Sequence, residues 1–329
     1  MDNGSDSNLL CFWWDDRVDN VECELRTFYL MNQQIPDRTD YDSPWKTFIE
    51  LYFHDFMTFF FPTIEADIDW SKPIRFLDKE LQKIVRDAEI PKRYANKLVE
   101  VYRLSGEKAI VICHIEVQNE GETDFGSRMY SYNYRLRDRY NCSVVSLAIL
   151  TDDSKKWRPT GFKDELWGCS TDFRFPSVKL LDYQDNWSEL EASRNPFAVV
   201  VMAQLKTKET HNQPQERKAW RYRLTTMLYD QGYGEQDILQ LHAFLDWMMR
   251  LPEDVERQFQ LEIKTFEETK HMKYVTTIER MARAEGAKDK EMEIALNLLR
   301  KNLDLETIAE VTGLTIEQVQ QLQSQVIQA

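Results

Sequence analysis

Glycine and proline are scarce, ten of each in 329 residues, roughly half of their average share. That excludes collagen-like and low-complexity chains. Cysteine is also sparse. Cys11, Cys23, Cys113, Cys142 and Cys169 are widely spaced and form no C-x-x-C pair, which removes zinc ribbons and thioredoxin-type sites. An odd set of isolated thiols reads as reduced and mostly buried, in a cytoplasmic protein, because disulfides are rare in that compartment. Long apolar runs are missing. The aromatic stretch Phe56–Pro62 falls far short of the about 20 residues that span a bilayer, so no membrane partner is expected. No basic residue precedes the short apolar run of the N-terminus, and acids follow it, unlike a secretory signal. The phosphate-binding G-x-x-x-x-G-K-[ST], the zinc-binding H-E-x-x-H and the nucleophile turn G-x-S-x-G do not occur. Positive charge is in deficit, with 42 Lys+Arg against 56 Asp+Glu and a net charge of −14. This argues against a wholly basic nucleic-acid-binding surface but leaves a local basic groove open.

What is present is aromatic. Phe, Trp and Tyr make up 12% of the chain, with nine Trp, a load that a disordered chain would lack. The length predicts about two domains. Residues 1–40 read as a poorly ordered acidic arm. Residues 41–195 form the core, 196–252 a helical extension packed on it, and 253–329 a charged helical spacer with a short helix-turn-helix-like tail. Ser43-Pro44 opens a helix running to about Phe61, with Phe48, Leu51, Tyr52, Phe56, Phe59 and Phe60 at helical spacing. A second helix is expected over about Arg75–Glu89. Strands follow at Lys97–Leu104 and Ala109–Gln118, joined at Ser105-Gly106 as a hairpin. Asp124–Arg139 is an amphipathic helix, Cys142–Leu150 a buried strand, and Phe175–Tyr183 a further strand or edge. From Asn195 onward the pattern is helical. The sum is an α/β core around a mixed sheet, followed by a helical C-terminal region.

The polar tip of the second strand, His114-Ile115-Glu116-Val117-Gln118, carries the chemistry. Ile110, Ile112, His114, Glu116 and Gln118 share one face by the period of two. A carboxylate on a buried strand is costly unless paired or bound to a cation. By residue type alone, the tip reads either as a strand end reaching solvent or as a divalent-cation site. His114 alone reads as a packed or hydrogen-bonded residue. H-x-E opens the zinc deaminase signature, but the P-C-x-x-C that must follow is missing. Gly232-Tyr233-Gly234 lacks the third glycine and the preceding strand of a dinucleotide loop.

Four segments together resemble the PD-(D/E)XK nuclease superfamily, in its Rpn-like branch of recombination-promoting nucleases, some of which bear a transposase label. They are IDWSKPIRFLDKELQKIVRDAE (68–89), KLVEVYRLSGEKAIVICHIEVQ (97–118), RMYSYNYRLRDRYNCSVVSLAIL (128–150) and ELWGCSTDFRFPSVKLLDY (165–183). The resemblance covers roughly 44–250. It implies a restriction-endonuclease-like core of order α-β-β-β-α-β with a mixed central sheet and a magnesium-dependent phosphodiesterase site acting on DNA. Glu116 matches the metal-binding acid and Gln118 the position of the motif lysine, where this branch often carries Gln. Asn96 stands where an Asp is expected. Asn offers a carbonyl oxygen but no negative charge, and hard cations favour carboxylates. The expected catalytic set is therefore Asn96, Glu116 and Gln118, with metal on Glu116 and Asn96 bound weakly. Glu80, Glu100, Asp67 and Asp69 are the nearby acids that could compensate.

Two basic clusters are candidates for DNA contact. The helix after the catalytic strand carries Arg128, Arg135, Arg137 and Arg139, interleaved with Tyr130 and Tyr134. Arg128, Tyr130, Tyr134 and Arg137 are the expected phosphate and stacking contacts, against the plainer reading of a solvated surface helix. Lys206-Thr207-Lys208 and the Arg217–Arg223 run could extend a groove. The tail has Gly313 at a turn, but Thr315–Gln323 carries no Lys or Arg, so self-association through the C-terminal helices is expected in preference to DNA reading. Two functions stay open: a metal-dependent DNA phosphodiesterase with an impaired site, or a non-catalytic DNA- or protein-binding module on the same fold.

Overall fold

The computed structural model describes residues 43–77, 95–116 and 124–271, together with 292, 294–299, 303–316, 319–320 and 322–323. The chain divides into two compact units, Met1–Glu262 and Ile263–Ala329. The expected acidic arm, 1–40, lies outside the described residues. Among the described residues no helix is long and apolar enough to cross a membrane.

The first unit opens with α1 (Ser43–Leu51), α2 (Phe53–Phe60) and α3 (Pro62–Glu65). Trp45, Phe48 and Ile49 are fully buried, at the spacing of one helix face. The run expected as one helix is two. Tyr52 leaves helical geometry at φ −123°, ψ 40°, although the amide of Phe56 still donates to its carbonyl at 2.8 Å. Pro62, lacking an amide proton, starts a new short helix.

The sheet is mixed and five-stranded, in the order β1-β2-β3-β4-β7. Its members are β1 (Arg75–Phe76), β2 (Ala95–Tyr102), β3 (Lys108–Glu116), β4 (Ser143–Leu150) and β7 (Ser177–Lys179). β1, β2 and β3 run antiparallel in turn, while β3–β4 and β4–β7 are parallel. The β2–β3 hairpin turns at Gly106, whose φ of +86° is open to glycine at little cost. The helix expected over Arg75–Glu89 begins instead as β1. Leu77 donates to the Leu98 carbonyl at 2.8 Å, because the free edge of β2 offers hydrogen bonds that local helical periodicity does not anticipate. Residues 78–94 lie outside the described set.

The parallel pair β3–β4 is connected by α4 (Phe125–Tyr140). Tyr132 and Leu136 of α4 pack on Leu98, Ile110 and Ile112, and Phe125 and Met129 on Ala148 and Leu150. One face of the sheet is thus covered by α4. On the other, α1 lies over β2, and Lys97, almost wholly buried, pairs with Glu50. Between β4 and β7 a separate hairpin, β5 (Gly161–Leu166) and β6 (Cys169–Arg174), forms a two-stranded sheet. After a 3-10 segment (Leu180–Asn186), α5 (Trp187–Ala192), α6 (Pro196–Glu209), α7 (Pro214–Asp230), α8 (Glu235–Met248) and α9 (Glu253–Lys270) follow. Asn195 caps α6 by accepting the Phe197 amide at 2.9 Å. α6 is buried continuously from Pro196 to Leu205, as its apolar circumference requires.

In the second unit α10 (Leu305–Thr312) is capped by Asp304, whose carboxylate accepts the Thr307 amide at 2.8 Å. It ends at Gly313 with φ +75°. Ile308, Leu314 and Val319 close its core with Ala295 and Leu299.

Candidate functional site

The carboxyl ends of β3 and β4 lie side by side. Asn96 is directly across from His114, Glu116 is level with Leu150, and Leu150 is level with Lys179. Residues opposite each other share a face, as do alternate residues along a strand. Positions 96, 114 and 116 therefore fall on the face that α4 covers. Position 96 sits one side-chain repeat, about 7 Å, short of the level of Glu116. Gln118 lies outside the described residues.

The compensating acids are elsewhere. Glu100 is opposite Ile110, six residues before Glu116 along β3, which is about 20 Å away. It is buried and pairs with Arg75 at 3.7 Å and Lys108 at 3.1 Å, and its carboxylate holds the Lys108 ammonium above its ordinary range. Asp67 pairs with Arg103 at 2.6 Å, and Asp69 accepts from the Ser71 hydroxyl at 2.6 Å. Both stand by the Tyr102 end of β2, where the Asp69 amide donates to Tyr102 and the Leu104 amide to Asp67. None of the three reaches the level of Glu116. Glu80 lies outside the described residues. The expectation that Glu100, Asp67 or Asp69 could complete the ion's ligands is therefore corrected. At the opposite end of the strands Glu100 and Asp67 neutralise cations, and Asp69 closes a turn with Ser71.

α4 flanks the carboxyl end. The Arg128 guanidinium lies 5.2 Å from the centre of the Phe125 ring. Tyr130 is stacked on Phe162 of β5 at 5.3 Å and 20° and touches Phe173 of β6 at 5.6 Å. Its ring is thus occupied by the hairpin. This intimacy depends on Gly126: a Cβ there would sit 2.3 Å from the Gly161 carbonyl oxygen. Tyr134 is exposed and accepts from Arg135 Nε at 3.3 Å. Arg137 and Arg139 are exposed as well. Among the described residues no carboxylate lies within ion-pair distance of Arg135, Arg137 or Arg139. No family model, curated protein or solved structure matches this chain.

The second basic cluster is not a groove. Arg217 donates to the Thr207 carbonyl at 2.8 Å and the Thr210 carbonyl at 3.2 Å, satisfying the end of α6. Arg221 is wholly buried between Asp246 at 2.6 Å and Glu256 at 2.7 Å. Lys218 pairs with Glu262 and Arg223 with Glu191, both at 2.5 Å. Lys206 lies 4.6 Å over Trp187 and 4.2 Å over Trp220, and Lys208 pairs with Asp153 at 2.7 Å. Gly232-Tyr233-Gly234 joins helix α7 to helix α8, with no strand before it.

Sequence reasoning missed the β5–β6 hairpin. Its turn is Trp167-Gly168, at φ +52° and +82°, the positive pair of a type I′ turn. A left-handed backbone at a bulky residue costs roughly 1–2 kcal/mol, so tryptophan there gives no turn signal. The buried pair Lys179–Asp152, at 2.5 Å, was also unforeseen. It fastens β7 to the end of β4.

Proposed function

We propose that this chain is a DNA-binding protein of the Rpn-like, PD-(D/E)XK type, with a weakened phosphodiesterase site at the carboxyl end of β3. The observation that carries the reading is the alignment of Asn96 and Glu116 on one face of two adjacent central strands, beside a helix whose Arg135, Arg137 and Arg139 pair with no carboxylate among the described residues. The element order helix-β1-β2-β3-α4-β4 agrees with the α-β-β-β-α-β core that the resemblance implies.

Two oxygen donors of one formal charge suit a hard cation weakly. Bound magnesium would supply Lewis-acid polarisation of a phosphate. The chain's own part is positioning. Arg135 and Arg137 hold backbone phosphates, Tyr134 offers an exposed ring to a base, and Gln118, which cannot take a proton, orients a water. Free Cys113, Cys142 and Cys169 agree with a cytoplasmic setting, and the C-terminal helices would serve self-association.

The second reading, a non-catalytic binding module, is favoured by the engagement of Glu100 and Asp67 at the wrong end of the strands. Plasmid nicking with magnesium separates the two. The enzyme reading expects slow nicking, its loss in Glu116→Ala, and faster nicking with tighter magnesium binding in Asn96→Asp. Equal rates in wild type and Glu116→Ala, or none even in Asn96→Asp while DNA is still bound, would leave the binding module.

A further inference from the structure

The β5–β6 hairpin ends in side chains that the monomer does not use. Trp167 is 97% exposed and Leu166 beside it 59%. Trp167 holds its left-handed φ of +52° at a position that favours Asn. The base of the hairpin is fixed on α4 by the Gly126–Gly161 approach and the Tyr130–Phe162 stack, so the tip is carried on a braced arm. Tryptophan is enriched among the residues that anchor protein interfaces.

The charge around the tip indicates the partner. Asp164 and Glu165 come just before it, both exposed, and among the described residues no cation pairs with either. Lys163 and Arg174 both turn to Asp172, at 3.1 and 3.2 Å. Asp164 and Glu165 are consecutive ladder residues of β5, so each face of the tip carries one carboxylate; these repel a phosphate backbone and fit a cationic, aromatic surface. Every copy of the chain carries one of net positive charge: Arg135, Arg137 and Arg139 of α4, against the single exposed acid Asp138 and with exposed Tyr134 among them.

We propose that the tip Asp164–Trp167 docks on the Arg135–Arg139 segment of α4 in a second copy, and reciprocally, forming a two-fold dimer. In an isologous interface each chain gives and receives the same contact, so tip and helix are satisfied at once. The inference stands without the DNA reading. If both hold, DNA and the second copy compete for the same arginines.

Sedimentation velocity of the full chain without DNA tests it. The expected result is a concentration-dependent dimer, weakened by salt as exposed charge pairs are. Trp167→Asn should weaken dimerisation at least tenfold while circular dichroism shows a melting temperature at or above wild type. The pair Asp164→Lys, Glu165→Lys and the pair Arg135→Glu, Arg137→Glu should each stay monomeric alone, whereas a mixture of the two proteins forms a heterodimer. A monomer at every concentration would overturn the proposal, as would a dimer unmoved by Trp167→Asn or a mixture that stays monomeric. So would loss of DNA affinity in Trp167→Asn of a chain that is always monomeric, which would assign the tip to nucleic acid.

Discussion

Helices α4 and α7 use the same residue vocabulary for different ends. One sets Arg135, Arg137 and Arg139 among tyrosines; the other sets Arg217, Lys218, Arg221 and Arg223 around Trp220 and Tyr222. On α7 each cation has an acceptor in the fold: carbonyls at the end of α6 for Arg217, Glu262 for Lys218, Asp246 and Glu256 for Arg221, Glu191 for Arg223. On α4 the three arginines have no carboxylate partner among the described residues. Basic composition therefore does not measure steering charge. A cation steers a ligand only when the fold has not already neutralised it.

The largest test of this contrast is Arg221→Ala. Breaking a buried ion pair costs about 3–5 kcal/mol. The low end is expected, because Asp246 and Glu256 remain 34% and 29% exposed and can regain water. Urea unfolding would measure the loss. A change within about 0.5 kcal/mol, the size of a surface substitution, would remove α7 from the structural side of the comparison.

A related effect comes from His242 on α8, which lies flat against Phe259 at 6.2 Å and 8°. Its Nδ1 has no partner among the described residues. Burial first, then the neighbouring Arg221, pushes its pKa down to about 4, with Asp246 opposing. Between about pH 6.5 and about pH 4 the unfolded chain takes up a proton that the folded chain refuses. Stability is thus full above about 6.5 and falls as the pH drops toward 4, by up to about 3 kcal/mol. Urea midpoints across that window should show the slope, and His242→Gln should flatten it. An unchanged slope in His242→Gln would assign the acid sensitivity to other groups.

The legibility of these parts differs for physical reasons. The β2–β3 hairpin could be read because a glycine turn joins two apolar runs, and its register sets Asn96 opposite His114, one side-chain repeat from the level of Glu116. β1 could not, since two residues on an edge carry no period and are chosen by the open backbone of β2. The β5–β6 hairpin was hidden because GFKDEL alternates weakly and Trp-Gly is not a favoured turn pair. The partners of Arg221 stand 25 and 35 residues away in sequence. No local pattern shows that a guanidinium will be consumed at that distance. The α4 arginines and the α7 arginines look alike until the fold supplies or withholds an acceptor.

The smallest expected change in stability carries the most functional information. Arg137→Ala should alter unfolding free energy by no more than about 0.5 kcal/mol, since the side chain is exposed and holds no ion pair among the described residues. If α4 binds phosphate, the same substitution should lower DNA affinity for all sequences alike and reduce the salt dependence by about one counterion. Arg135→Ala should act in the same way. Arg223→Ala on α7 is the control, because Glu191 already neutralises that guanidinium, and its salt slope should match wild type. Fluorescence titrations at several salt concentrations would measure all three. Equal slopes in Arg137→Ala and Arg223→Ala would mean that pairing inside the fold does not decide which arginines meet DNA.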